Sequence, residues 1–266
     1  MPYALVTGAA KGIGKAIAEE LAIKKYNLIL VDFDTEGLFA VSKYLETTYQ
    51  IDVHLLYVDL SEPDAIDKIF SFTRAYHDQL SVVVNNAGYG LNGPFEEIPL
   101  AQQLNIIDVN IRALVKIAHT YIPVLRKFDQ SYLLIVASTT AYQTVPYLNI
   151  YASTKAFVLS FARGLRYELR NSNISVTAVS PGSTDTDFVN RANMGTSTKK
   201  IAERFNMTPK SVAQTAIKGL FNKEAEVVPG FVNKLNAHLP KFFPKSFVEK
   251  IAGNIYQKKQ VTESSI

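Results

Sequence analysis

The order in which the hydrophobic pattern alternates constrains this chain most. Short β-branched runs are separated repeatedly by amphipathic stretches long enough for helices. Strands are predicted at about 3–7, 27–32, 53–58, 81–85, 132–137, 174–180 and 225–228. Helices are predicted near 12–24, 35–49, 62–77, 99–126, 150–171 and 209–222. Strands joined by crossovers of this length make βαβ units and a parallel sheet. Leu28-Ile29-Leu30-Val31 and Val82-Val83-Val84 are apolar on both faces, as strands covered by helices on both sides must be. Right-handed crossovers then give an α/β fold, a doubly wound parallel seven-stranded sheet with helices on both faces. One domain is expected over 1–230, followed by an amphipathic extension over 231–266.

Composition narrows the class. The 266 residues are 47% hydrophobic, enough for a sizeable core. No apolar run approaches the ~20 residues of a membrane span. Tyr3-Ala4-Leu5-Val6 enters a strand pattern at once, without the features of a secretory signal. There are no cysteines, so disulfides, thiolate metal sites and cysteine nucleophiles are excluded. A cytoplasmic location fits that composition. The four scattered histidines show no ligand spacing, and no metal is expected. Residues 231–260 carry a net +5 within a chain of +4, so the basic character belongs to the tail and the body gives no nucleic-acid footprint.

Thr7-Gly8-Ala9-Ala10-Lys11-Gly12-Ile13-Gly14 follows the first strand and opens the first helix. Backbone at Gly8, Ala10, Lys11, Gly12, Ile13 and Gly14 can approach a pyrophosphate closely, and the helix N-terminus offers free N–H groups to the anion. Asp32 ends the second strand eighteen residues past Gly14. A carboxylate there accepts from both ribose hydroxyls and repels a 2′-phosphate, which favours NAD. Lys11 argues the other way, so NADP stays open. Asp59, with Leu60 after it, ends the third strand and suits either an adenine amino group or a helix cap. Asn85-Asn86-Ala87-Gly88 ends the fourth. Its small residues admit a cofactor, and an ordinary asparagine-glycine turn is the competing reading.

Tyr151 and Lys155 are spaced i, i+4 and share one face of a predicted helix. An ammonium beside a phenol favours phenolate, so this pair can exchange a proton with a carbonyl or alcohol oxygen. Ser138 lies thirteen residues before Tyr151. With these pieces in order, the chain resembles the short-chain dehydrogenase/reductase family, in its branch with a single Rossmann domain. The likeness spans about residues 3–230 and includes Asn-Asn-Ala-Gly, Asn110 within Val109-Asn110-Ile111, and Pro181-Gly182-Ser183-Thr184-Asp185-Thr186.

The resemblance implies an oxidoreductase with a Ser-Tyr-Lys-Asn mechanism. Tyr151 is then the general acid or base. Lys155 lowers its pKa and holds the nicotinamide ribose. Ser138 bonds the substrate oxygen, and Asn110 holds a relay water. Asn86, Ala87 and Gly88 border the cofactor, with Pro181, Gly182, Thr184 and Thr186 against the nicotinamide. Family members also form dimers or tetramers, here expected through the helices at 99–126 and 150–171. A dinucleotide-holding sensor, or an isomerase or lyase on the same scaffold, are the rival readings. Sensors of this type usually lose the Tyr/Lys pair.

Thr140, Gln143, Tyr147 and Phe188, with Ser138, are the leading candidates for the substrate wall. They are neutral or apolar, with no arginine to clamp a carboxylate, so a neutral, fairly apolar ketone or secondary alcohol is expected. Residues 183–207 read as a lid or a surface excursion. In the tail, Phe247, Ile251 and Ile255 fall on one helical face, with lysines outside it. Two readings stand: packing on the body or across a subunit boundary, and docking on an anionic membrane surface. Packing is preferred, because most amphipathic helices serve a core.

Overall fold

In the computed structural model, the described residues are 1–184 and 206–257. Thr186, Phe188 and most of the 183–207 segment lie outside them. Seven parallel strands form one sheet: β1 (Tyr3–Thr7), β2 (Asn27–Asp32), β3 (Val53–Tyr57), β4 (Leu80–Asn85), β5 (Ser131–Val136), β6 (Ile174–Val179) and β7 (Glu226–Val227). Their order is β3-β2-β1-β4-β5-β6-β7, so the winding reverses between β1 and β4. A crevice opens at that reversal, outside the carboxyl ends of the strands.

Both faces of the sheet are apolar and buried. Along β1, Tyr3 and Leu5 enter one core while Ala4 and Val6 enter the other. In β2, Ile29 and Val31 alternate with Leu28 and Leu30 in the same way. Helices α1 (Gly12–Ile23) and α2 (Thr35–Tyr49) cover one side of this half, and α3 (Ala65–Thr73) the other. Helix α2 starts where the Asp34 carboxylate accepts from Gly37 N–H at 3.0 Å, an N-cap that satisfies an orphan donor.

The stretch expected as one helix over 99–126 is interrupted. It runs as α4 (Leu100–Ile107), a π-helical segment Asp108–Ala113, and α5 (Leu114–Leu125). The extra residue per turn brings Asn110 inside, where it is 1% exposed. Its Oδ1 accepts from Tyr89 N–H at 3.0 Å, and its Nδ2 donates at 3.0 Å to Tyr89 C=O and at 3.0 Å to the Thr154 hydroxyl. Those bonds account for a distortion that periodicity cannot encode. Helix α6 (Asn149–Glu168) follows β5, and α7 (Pro209–Phe221) follows β6. Thr208 caps α7 by accepting from Ser211 N–H at 3.2 Å, with Pro209 in the first turn, where no amide donor is needed.

The tail forms α8 (Phe231–His238), a 3₁₀ turn (Leu239–Phe242) and α9 (Lys245–Tyr256). Pro240 and Pro244 divide it. Among the described residues, no helix is long and apolar enough to cross a membrane. Instead α9 crosses the crevice, and Asn92 Nδ2 donates at 3.0 Å to both Tyr147 C=O and Tyr256 C=O.

Candidate active site

The glycine turn works through close approach. Gly8 has φ of +67°, and a methyl there would sit 2.8 Å from Asn86 Nδ2 and 2.9 Å from Ala87 Cα. A methyl on Gly14 would overlap the Gly8 carbonyl oxygen. The first helix lacks both a side-chain cap and an acid in its first turn. Its leading N–H groups and positive dipole end are therefore available to an anion.

Asp32 stands beside this turn. Its Oδ2 accepts from Ala10 N–H at 3.0 Å and its Oδ1 from Asp34 N–H at 3.1 Å. The Lys11 ammonium lies 3.8 Å from the Asp34 carboxylate, so its charge is partly answered within the chain. Asp59 Oδ1 accepts from the Ser61 N–H and hydroxyl, both at 2.8 Å. Asn86 Nδ2 donates to Thr7 C=O at 2.9 Å and Gly8 C=O at 3.1 Å, stitching the ends of β1 and β4.

Across the crevice, Ser138 lies two residues past β5 and caps a 3₁₀ turn, with its Oγ accepting from Thr140 N–H at 3.1 Å. Its side chain also acts on the Tyr151 phenol, lowering it. Tyr151 and Lys155 sit one turn apart on the buried face of α6. Lys155 is 4% exposed, and its Nζ donates to Val136 C=O at 2.8 Å. The ammonium lies 5.8 Å from the centre of the Tyr151 ring. Thr154 donates to Tyr151 C=O at 2.7 Å and accepts from Asn110, so the π-helical segment holds α6 in place.

Burial dominates the protonation of both groups. Desolvation pushes the Tyr151 phenol up to about 12, against a lowering by the Ser138 bond. It pulls the Lys155 ammonium down to about 8. The expected lowering of the phenol by Lys155 is not seen here: burial raises it, Tyr256 adds to the rise, and Ser138 alone acts the other way.

One cavity of about 770 Å³ joins the two sides. Lining it are Gly8, Lys11, Gly12, Ile13, Gly14, Asp32, Asp59, Leu60, Asn86, Ala87, Gly88, Ser138, Thr140, Gln143, Tyr151, Lys155, Pro181, Gly182 and Thr184. Ala10 reaches the site through its bond to Asp32. Asn110 does not line the cavity; it braces Tyr89 and Thr154 from behind. Tyr147 departs from the expectation as well. Its φ of +63° turns the chain, its carbonyl is held by Asn92 and Gly93, and the neighbouring Val145 and Leu148 form the wall instead.

Sequence reasoning did not foresee that the tail supplies the facing wall. Leu239, Phe243, Phe247, Ile251, Ile255 and Tyr256 all line the cavity. The i, i+4, i+8 face of Phe247, Ile251 and Ile255 was visible, but its destination was not. Tyr256 packs with Val145, Leu148, Tyr151 and Ala152, and burial raises its phenol.

Two outcomes follow from this geometry. A methyl on Gly90 would lie 2.8 Å from Cγ and Cδ2 of Tyr151. Gly90→Ala must therefore displace the ring, and its kcat is expected to fall about 10–100-fold while the urea midpoint changes little. The second concerns pH. Lys155 titrates at about 8 when folded and near 10.5 when free, so the unfolded chain binds the extra proton between those values. Stability from this group rises with pH through that window. Tyr151, raised to about 12, has the opposite sign but acts only above its ordinary value of 10. Between pH 8 and 10, wild type should gain about 1–2 kcal/mol over Lys155→Met in urea denaturation. Parallel curves would mean that the amine is not desolvated.

Comparison with known proteins gives a consistent result. The chain is 35% identical over 183 residues to the very-long-chain 3-oxoacyl-CoA reductase-B of Danio rerio, a match covering 67% of this chain and 58% of that relative. It is 28% identical over 236 residues to the 7beta-hydroxysteroid dehydrogenase of Mediterraneibacter gnavus, covering 89% of each. A short-chain dehydrogenase from Sphingobium yanoikuyae, solved in complex with NADPH, superposes with a TM-score of 0.80 at 25% identity, over 100% of this chain and 99% of that one. The family model for short chain dehydrogenases matches residues 2–197, which contain the glycine turn, Ser138, Tyr151 and Lys155. This chain belongs to the short chain dehydrogenase family.

Proposed function

We propose that the chain is a nicotinamide-dependent oxidoreductase acting on a neutral, fairly apolar ketone or secondary alcohol. The observation that carries this reading is the convergence of Ser138, Tyr151 and Lys155 on one cavity with the glycine turn. The turn fits a dinucleotide: its backbone is too crowded for side chains at Gly8 and Gly14, and its helix N–H groups are uncapped. A bound nicotinamide supplies or accepts the hydride.

The chain's own residues do the rest. In reduction the Tyr151 hydroxyl gives its proton to the substrate oxygen; in oxidation it takes one back. Ser138, whose Oγ already accepts from Thr140 N–H, donates to that oxygen and stabilises the charge growing on it. Lys155 favours phenolate at the moment the proton leaves and offers donors to the nicotinamide ribose. Asn110 acts as a positioning residue, through Thr154 and the Tyr151 backbone. Pro181, Gly182 and Thr184 border the nicotinamide side. Thr140 and Gln143 take the substrate side with the apolar tail. That lining and the likeness to a hydroxysteroid dehydrogenase over most of both chains support a bulky, steroid-like or lipid-derived substrate. A homodimer or homotetramer remains the proposed assembly, supported by the exposed Leu104 of α4 and Phe157 of α6.

NAD is the proposed cofactor, with NADP the competitor. Asp32 lines the cavity, while Lys11 is engaged near Asp34. A 2′-phosphate would therefore meet more negative than positive charge. NADH should exceed NADPH in kcat/KM by at least about tenfold, and Asp32→Asn should shrink that ratio by a similar factor. Equal use of both by wild type would reverse the assignment.

Turnover of apolar ketones with NADH, compared with small anionic keto acids, tests the activity itself. Tyr151→Phe should lose about 10²–10⁴ in kcat with binding of NADH retained by fluorescence. An undiminished rate would defeat the reading.

A further inference from the structure

The tail presents a second face that the cavity does not use. In α8 the buried positions are Asn233 and Ala237, a polar and a small residue. Phe231, Val232 and Leu235 are exposed instead. Phe231 is 81% and Phe242 82% exposed, and neither lines the cavity. This inverts the usual arrangement, in which a helix turns its apolar stripe inward. Leu239, Phe243, Phe247 and Ile251 are about half exposed and also line the cavity, so they form its mouth. Lys234, Lys245 and Lys250 are exposed on the same two helices. Among the described residues, none of the three is paired with a carboxylate.

We infer that this face docks on an anionic lipid surface, with Phe231 and Phe242 entering the headgroup region and the lysines meeting lipid phosphates. Exposed aromatic side chains flanked by lysines are what an interfacial helix offers to a bilayer. A second copy of the chain is a poorer occupant. Lys234, Lys245 and Lys250 outnumber Glu249 on the two helices, so a symmetric contact through this face would bring like charges together. One consequence rests on the substrate reading given above: an apolar ketone dissolved in the bilayer would reach Tyr151 through the apolar mouth without crossing water.

The test is sedimentation of the full-length chain with vesicles of phosphatidylcholine alone, and with about one-third phosphatidylserine added. The bound fraction should be at least about fivefold higher on the anionic vesicles and should fall at high salt. Phe231→Ser with Phe242→Ser should weaken binding about tenfold, while NADH-linked turnover of a water-soluble ketone stays at the wild-type rate. Should that pair disturb folding, Lys234→Glu with Lys245→Glu leaves the apolar side chains in place and should still abolish the anionic preference. Failure of the wild-type chain to bind either vesicle, or equal binding by the variants, overturns the inference. A lower oligomeric mass for the phenylalanine variant, with vesicle binding unchanged, would assign the face to a second copy and also overturn it. Vesicle binding is read without turnover, so it stands or falls separately from the redox activity.

Discussion

Everything at the crevice depends on how the first and fourth strands are joined. At their carboxyl ends the Thr7 hydroxyl donates to Val84 C=O and accepts from the N–H groups of Asn86 and Ala87. Asn86 returns its amide to the carbonyls of Thr7 and Gly8. Winding reverses here, so the connections after β1 and β4 leave toward opposite faces and cannot hold one another. The polar stitch does that instead, and a buried network with its partners satisfied is stiff. It fixes the glycine turn on one side and Gly88 on the other. A methyl on Gly88 would stand 3.0 Å from Asn110 Oδ1 and 3.2 Å from Lys155 Nζ, so the Lys155 side of the crevice is set in the same frame.

The balance at Tyr151 and Lys155 shows why a motif does not set a pKa. Spacing places a cation next to a phenol, and in water-like surroundings the cation would win. Both groups lie in a wall that excludes water, so desolvation acts on each and drives each toward its neutral form. Phenol and amine are pushed apart from their ordinary values, to about 12 and about 8. Ser138 is the polar contact that acts the other way on the phenol. Any charge that appears in this wall must therefore be met by groups already in position, which is the setting in which fixed donors count most.

Much of the fold was legible. All seven strands appear within a few residues of the predicted spans, because apolar runs on both faces leave few alternatives. The placement of the glycine turn and of Ser138, Tyr151 and Lys155 on one cavity was legible for a local reason: each motif sits at a strand end or on one helix face, where spacing fixes direction. The π-helical segment at Asn110 was not, since it arises from bonds to Tyr89 and Thr154 that are distant in sequence. Tyr147 was misplaced for a similar reason, its left-handed turn being held by Asn92. The helical face of Phe247, Ile251 and Ile255 could be read, whereas its partner depends on a long-range hydrogen bond from Asn92 to Tyr256.

That anchor makes the molecule modular. The sheet and its polar stitch hold the glycine turn, while the facing wall of the cavity is a terminal segment held by the Asn92 amide and by the packing of Tyr256 on Val145, Leu148, Tyr151 and Ala152. Replacing that segment would reshape one wall of the cavity without touching a single strand, so the two walls can change independently.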